Sequence, residues 1–439
     1  MTKTQKTLQT LRAYESRNVL FTEPDGSWPI VWEKAQGVHV WDAEGKKYLD
    51  LTAAFGVAAA GHANPRVVRA GQKQMAQLLH AMGDVHPHAL KAELAQKLSE
   101  LTFGRWASQS QPKTKNSKLK TGKTIFCNSG FEAVEAALKT SLLATCQRGV
   151  IAFTGAYHGL GYGALNATHR EHFRAPFRPQ LREFADFAAF PKTAADLPAL
   201  EKVLRKILRQ KNVGAMLVEP VQARGGIHVP PPGFLPLLRK LCDESGALLI
   251  ADEIYTGFGR TGKWFACEHS QIVPDVICLG KALTGGFPLS ACVGRAELMD
   301  AAWPASTGEA IHTSTFLGHP VGCAMALAQI AEIKRLKLVE HSANLGQILL
   351  NELAEIRNPK SKIKILSRGL GLMAGLELTF PNGQPATEIA LGAIKKLLHR
   401  GYIFLPEGEH GNVISFTPPL IISKAQLSKA VAALAEVLK

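Results

Sequence analysis

The chain has no apolar run approaching the roughly 18 residues that a membrane span requires, and residues 1–20 lack the apolar core of a secretory signal. Neither a membrane anchor nor secretion is expected, and the cytoplasm is the expected compartment. The seven cysteines are an odd number and form no CxxC pair. Unpaired thiols in a reducing compartment are expected, not a disulfide framework or a cysteine-held zinc site. Negative charge is the scarcer sign: 51 Lys and Arg stand against 36 Asp and Glu, a formal balance of +15. That balance raises nucleic acid or anionic substrates as partners. Five of the cations, Lys113, Lys115, Lys118, Lys120 and Lys123, crowd into QSQPKTKNSKLKTGK (109–123) with no aromatic side chain among them. A base-stacking surface is therefore not indicated, and a solvated loop is expected. Neither nucleic acid nor membrane is the expected partner.

What is present suits two or three packed units: 439 residues, 46% hydrophobic, 39 glycines. From about 125 to 295, short apolar runs alternate with helical patterns, the mark of an α/β unit around a mainly parallel sheet. The strand expectations are Thr124–Cys127, Val150–Phe153, Ala215–Glu219, Leu248–Asp252, Val276–Leu279 and Ser290–Val293. Pro232 to Ser245 has helical spacing and stops at Gly246, so it crosses between two of them. After about 325, helices over Ala324–Leu353 and Thr387–Arg400 with strands over Leu372–Leu378 and Val413–Phe416 predict a smaller α+β unit. Residues 37–51 read as a hairpin turning at Ala43-Glu44-Gly45, and are expected to join that smaller unit from the N-terminal side.

Ligands gather beyond the carboxyl ends of the strands in such sheets, and there VICLGKALTGG places Lys281 and LLIADEIYTGFGRTG places Asp252. Either side chain has a plain explanation: a lysine snorkels to water, and a carboxylate caps the following turn. Together they have a more specific one. A desolvated lysine is a nucleophilic amine, able to form a Schiff base. Pyridoxal phosphate chemistry needs such a lysine, and a carboxylate that keeps the pyridine nitrogen protonated. CNSGFEAVEAALK supplies a strand, a small-residue turn and a helix, an arrangement that binds phosphate but also occurs at many ordinary strand-to-helix junctions. TGAYHGLGYG offers Tyr157 and His158 among glycines, placed to cover a cofactor ring or simply to pack. VEPVQ sets Glu219 and Gln222 at a third strand end, and HTSTFLGHPVGCAMA holds Thr315 before a helix, as a cap or a phosphate ligand.

Along nearly its whole length the chain resembles the class III pyridoxal-phosphate aminotransferases. The matching words are GVHVWDAEGKKYLDL, GHANPRV, NSGFEAVEAALK, YHG, VEPVQ, ADEIYTGFGRTG, LGKALTGG and HTSTFLGHPVGCA, in the family's order. The resemblance implies a fold-type-I architecture: a large α/β domain (66–325) with a mainly parallel seven-stranded sheet, and a small α+β domain (326–439) joined by residues 1–65. It implies that Lys281 carries the cofactor as an aldimine, that Asp252 pairs with the pyridine nitrogen, and that Tyr157 and Ile254 cover the two ring faces, with His158 and Glu219 beside them. Gln222 is implied near the phenolic oxygen. The phosphate would be held by Ser129, by the Gly130 and Phe131 backbone, and by Thr315 of the other subunit of a homodimer.

Two positions depart from the pattern of members that act on ω-amino acids. Arg224 stands where they usually carry Glu, and Ser415 where they usually carry a carboxylate-binding Arg. Arg224 could supply that charge from the opposite position, or only make loop contacts. Phe55, by its spacing to His62, is expected to line the substrate pocket. These features point to an apolar or aromatic primary amine, or an ω-amino acid, as donor, with a keto acid such as pyruvate as acceptor. An ornithine, 4-aminobutyrate or diamine aminotransferase, or an aminomutase or racemase on the same fold, is the alternative. GFGRTGK (257–263) offers the glycines and lysine of a phosphate loop, but Trp264 follows where a magnesium-holding hydroxyl is required.

Overall fold

The computed structural model of the chain describes residues 1–24, 26–109, 121–210, 212–356 and 363–439. Four of the clustered lysines, Lys113, Lys115, Lys118 and Lys120, lie outside the described residues; Lys123 pairs with Asp300.

Seven strands form the central sheet, in the order Gly122–Cys127, Ser290–Arg295, Val276–Leu279, Leu248–Asp252, Val213–Val218, Gly149–Phe153 and Ala185–Ala188. The last five are mutually parallel, whereas Ser290–Arg295 runs antiparallel to both of its neighbours. Because successive side chains alternate across a strand, each run feeds two cores. Leu248 and Ile250 pack with Val150, Leu217 and Val276 beneath the helix Gly130–Thr145, while Leu249 packs with Met216, Ile277 and Leu279 on the side of the helix Phe234–Ser245. Burial on both faces is why these strands read as continuous apolar runs.

All six expected strands occur, with Val213–Val218 starting two residues before the expected Ala215. The seventh, Ala185–Ala188, was not expected, since ADFA is short and carries an aspartate. The long helix expected over Ala324–Leu353 is two helices, Pro320–Arg335 and Leu338–Ala354. Lys337 breaks it at φ 50° with neither Gly nor Pro to announce the stop. Met373–Thr379 replaces the expected Leu372–Leu378 and pairs with Lys364–Leu370, a strand absent from the expectations.

The N-terminal hairpin forms as read, its turn fixed by Asp42 Oδ1 accepting from the Glu44 and Lys46 N–H groups at 3.1 and 2.8 Å. Its strand Lys47–Asp50 pairs in parallel with Tyr402–Ile403, so the two ends of the chain share a sheet. The GFGRTG turn also ties distant segments together. The buried Arg260 donates Nη1 to the carbonyls of Leu372 and Pro418 at 2.9 and 2.6 Å. At Gly371, φ is +58° and a Cβ would stand 2.4 Å from the Thr261 carbonyl carbon, so the two backbones touch there. Among the described residues no helix is long and apolar enough to cross a membrane.

Ile250 is fully buried in the middle of the sheet. Ile250→Ala is expected to lower stability by about 2–5 kcal/mol, read as a shift in the urea midpoint at unchanged slope.

Candidate active site

The parallel pairing of Leu248–Asp252 with Val276–Leu279 sets Asp252 opposite Cys278, so the two strands end at the same edge. Lys281 follows Gly280 in a short 3-10 turn and takes φ 41°, a left-handed conformation that costs a residue with a Cβ about 1–2 kcal/mol. Its Nζ lies 4.4 Å from the centroid of the Tyr255 ring. Asp252 and Lys281 line one cavity of about 440 Å³. Its wall also includes Gly130 and Phe131 from the start of a helix, Tyr157 to Leu160, Glu219, Arg224, and Ile254 to Thr256. Gly159 is required by a close approach: at φ +111°, a Cβ would stand 2.3 Å from that of Phe131.

The base of the cavity is a chain of polar groups. Asp252 Oδ2 lies 2.7 Å from His158 Nδ1, and Oδ1 accepts the Ile254 N–H at 3.1 Å. His158 is anchored by its own N–H, which donates to Thr168 Oγ1 at 2.9 Å; its Nε2 is buried without a partner. Glu219 accepts the N–H groups of Tyr157 and Ala223 at 3.0 and 3.2 Å. Burial above all, with Asp252 adding to it, pushes Glu219 up to about 7. Burial lowers the pKa of Lys281, against the pull of the Asp252, Glu219 and Glu407 carboxylates. The site thus favours a lysine that gives up its proton more readily than usual. Burial likewise raises Tyr157.

Two side chains beyond the sequence expectations belong here. Tyr255 seats the lysine, and its hydroxyl lies 3.3 Å from Thr417 Oγ1. Glu407 arrives on the short strand Leu405–Glu407 and meets Arg224 at 3.6 Å. It is buried, and burial, partly offset by Arg224 and Lys281, raises it to about 7. Tyr255 could have been found as the neighbour of Ile254; Glu407 could not, because PEGEHG reads as a polar loop.

Four expected residues stand elsewhere. Gln222 is buried but donates Nε2 to the Thr154 carbonyl at 2.9 Å and lines an adjoining cavity. Ser415 is buried in the strand Val413–Phe416, its hydroxyl donating to the Leu405 carbonyl at 3.0 Å. Phe55 does not line the cavity: it is 49% exposed, in a turn where Ala53, Ala54 and Phe55 itself all have positive φ. Thr315 is exposed on the stretch before the helix Pro320–Arg335.

The sequence model of the family described as "Aminotransferase class-III" matches residues 21–438. The chain belongs to the class III aminotransferases. It is 37% identical over 422 residues to the 5-aminovalerate aminotransferase DavT of Pseudomonas aeruginosa, covering 93% of each chain. It is also 37% identical over 412 residues to the acetylornithine aminotransferase of Methanopyrus kandleri, covering 94% of this chain and 95% of the relative. Among solved structures, the ornithine aminotransferase of Toxoplasma gondii ME49 superposes with a TM-score of 0.83 at 28% identity, over 100% of this chain and 95% of that one.

As a class III aminotransferase the protein is a pyridoxal-phosphate enzyme, and the groups present suit that cofactor. Ser129 Oγ is buried without a hydrogen-bond partner at the start of the 16-residue helix Gly130–Thr145. A helix N-terminus favours an anion such as phosphate through its free N–H groups and dipole. Glu132 already accepts from the Asn128 and Ser129 N–H groups, at 2.6 and 3.3 Å, which leaves those of Gly130 and Phe131. The Asp252 carboxylate, oriented by His158, is the acceptor a protonated ring nitrogen requires.

Because Glu219 and Glu407 titrate near 7 when folded but near 4.5 otherwise, the folded state holds more protons than the unfolded one between those values. Stability of the cofactor-free protein is therefore expected to fall as pH rises from about 5 to 8, by at most about 1.4 kcal/mol per pH unit for each group. Glu407→Gln should flatten the slope, measured by urea unfolding across that range.

Proposed function

We propose that the enzyme transfers the amino group of an ω-amino acid, an amine whose far end carries a carboxylate, to a keto acid, with Lys281 and Asp252 as its catalytic residues. The observation that carries this reading is Arg224, which reaches the wall of the Lys281 cavity, lies over the Tyr157 ring at 5.8 Å, and among the described residues has a single carboxylate partner, Glu407, at a long 3.6 Å. A guanidinium pairs bidentately with a carboxylate. The position that lacks an arginine at Ser415 is thereby served from the other side. The names of the relatives, 5-aminovalerate and acetylornithine aminotransferase, fit substrates with a charged far end.

When bound, pyridoxal phosphate supplies an electron sink for the carbanion left as the substrate C–H bond breaks. Asp252 accepts the hydrogen bond of the ring nitrogen and keeps it protonated, and His158 holds Asp252 in place. Ser129 with the Gly130 and Phe131 N–H groups holds the phosphate, while Tyr157 and Ile254 cover the ring faces. Lys281 Nζ, made less basic by burial, would take the proton from the substrate carbon that bears the amino group and deliver it to the cofactor carbon on the other side of the transferred nitrogen. Tyr255 gives the free amine a seat between these steps.

We infer also that two copies pair. Leu79, Met82 and Val85 are more than half exposed, as are Ile311 and Phe316, and His80 touches Phe316 at 5.4 Å between ring centroids. Thr315 lies within this surface, from which it would reach the phosphate of the second copy. A second donor class is favoured by Phe131, Leu160 and Ile254, an apolar wall that suits aromatic amines.

Lys281→Ala should lower turnover by about 10²–10⁴-fold or more, the scale of lost proton transfer, in single-turnover absorbance measurements. Arg224→Ala should raise the KM of the keto acid and of 5-aminovalerate about ten-fold or more while leaving 1-phenylethylamine unaffected. An unchanged KM for both carboxylates would remove Arg224 from its role.

A further inference from the structure

A second cavity, about 270 Å³, shares the 219–226 segment with the active site: Ala223 and Arg224 line the one, Gln222 and Gly225 the other. Three separate elements bring cations to its wall. Arg170 precedes the helix Glu171–Arg174, Lys192 follows the strand Ala185–Ala188, and Arg368 lies on the strand Lys364–Leu370.

Arg368 is fully engaged. It pairs with Glu377 at 2.5 Å and donates to the carbonyls of Gly226 and Ile227. The other two are held more loosely: Arg170 lies over the Phe173 ring at 5.3 Å, and Lys192 acts only at longer range on the Asp196 and Glu377 carboxylates. Arg170 donates Nη2 to the Glu409 carbonyl at 3.2 Å, its Nε is buried without a partner, and among the described residues no carboxylate stands within ion-pairing distance of Arg170 or Lys192. His169 Nδ1, on the same wall, is a second buried nitrogen without a partner. Of the two carboxylates that line the cavity, Glu377 is taken by Arg368 and Glu409 is exposed. The field inside is positive enough that Arg368 and Lys192 join burial in pushing His228 down to about 4.

A buried donor left unpaired is costly, and an anion would satisfy it. Two cations on different elements, neither with a carboxylate at ion-pairing distance among the described residues, match an anion with two separated ends better than a compact one. We infer that this cavity binds a small dicarboxylate, one carboxylate on Arg170 and His169 and the other on Lys192, as a site distinct from the catalytic one. Its occupant lies against the segment that carries Arg224, so it is placed to modulate how that arginine is presented. The inference does not rest on the proposed donor.

Succinate is the probe, because it has neither an amino nor a keto group and cannot be transaminated. Calorimetric titration should show one site per chain that persists in the Arg224→Ala holoenzyme, in which carboxylate binding in the catalytic cavity is weakened. Lys192→Gln, a change at an exposed residue, should weaken it about ten-fold or more without altering kcat/KM for transamination measured without succinate. Arg170→Ala combined with Lys192→Gln should abolish it, and Arg224→Ala should leave it in place. The inference is overturned if succinate does not bind, if Lys192→Gln has no effect, or if Arg224→Ala removes binding equally. It is also overturned if inorganic phosphate binds as tightly with the same dependence on Lys192, which would mark a site for any compact anion. Since none of these readings requires turnover, failure here and failure of the proposed function are separable.

Discussion

The parallel register between Leu248–Asp252 and Val276–Leu279 is the constraint on which the site depends. It sets Asp252 opposite Cys278 and so delivers a carboxylate and, three residues beyond Cys278, a lysine to one edge of the sheet. A slip of one residue would turn Ile250 and Cys278 out of one core and into the other, which the burial of both faces forbids. The chemistry is therefore positioned by packing that has no chemical part of its own. The strain at Lys281, with its positive φ, is carried by the same rigid edge.

Around that lysine the protein gathers three buried carboxylates, Asp252, Glu219 and Glu407. Burial above all raises Glu219 and Glu407, and the repulsion of like charges in so small a volume adds to it. Asp252 is distinguished from them by its partner, the His158 ring at 2.7 Å, and by the Ile254 N–H. Arg224 and Lys281 supply the positive charge that balances the group. Among the described residues Arg224 is the ion-pair partner of Glu407.

The site draws on the C-terminal part of the chain as well as on the central sheet. Glu407 comes from a C-terminal sheet, Tyr255 meets Thr417, and Arg260 clamps the carbonyls of Leu372 and Pro418. In GFGRTG, a Cβ on Gly262 would stand 2.9 Å from the Ala343 Cα and one on Gly371 2.6 Å from the Gly262 N, so a close backbone contact accounts for the glycine at that position.

Much was legible before any coordinates. The buried strands announce themselves as short apolar runs, and Asp252, Lys281, Tyr157 and the turn at Ser129 sit in words whose chemistry and order the family shares. What could not be read depends on distance in space. Glu407 lies more than a hundred residues from Lys281 in a stretch with the composition of a loop, and only the pairing of Leu405–Glu407 with Val413–Phe416 turns it toward the cavity. Phe55 was placed by spacing and Gln222 by the family resemblance; a run of positive φ leaves the first on the surface, and the Thr154 carbonyl engages the second. Local pattern determines which elements form, because hydrophobic period and turn chemistry act over a few residues. Which side chains share a cavity is decided by the packing of remote segments, and no window of sequence contains that.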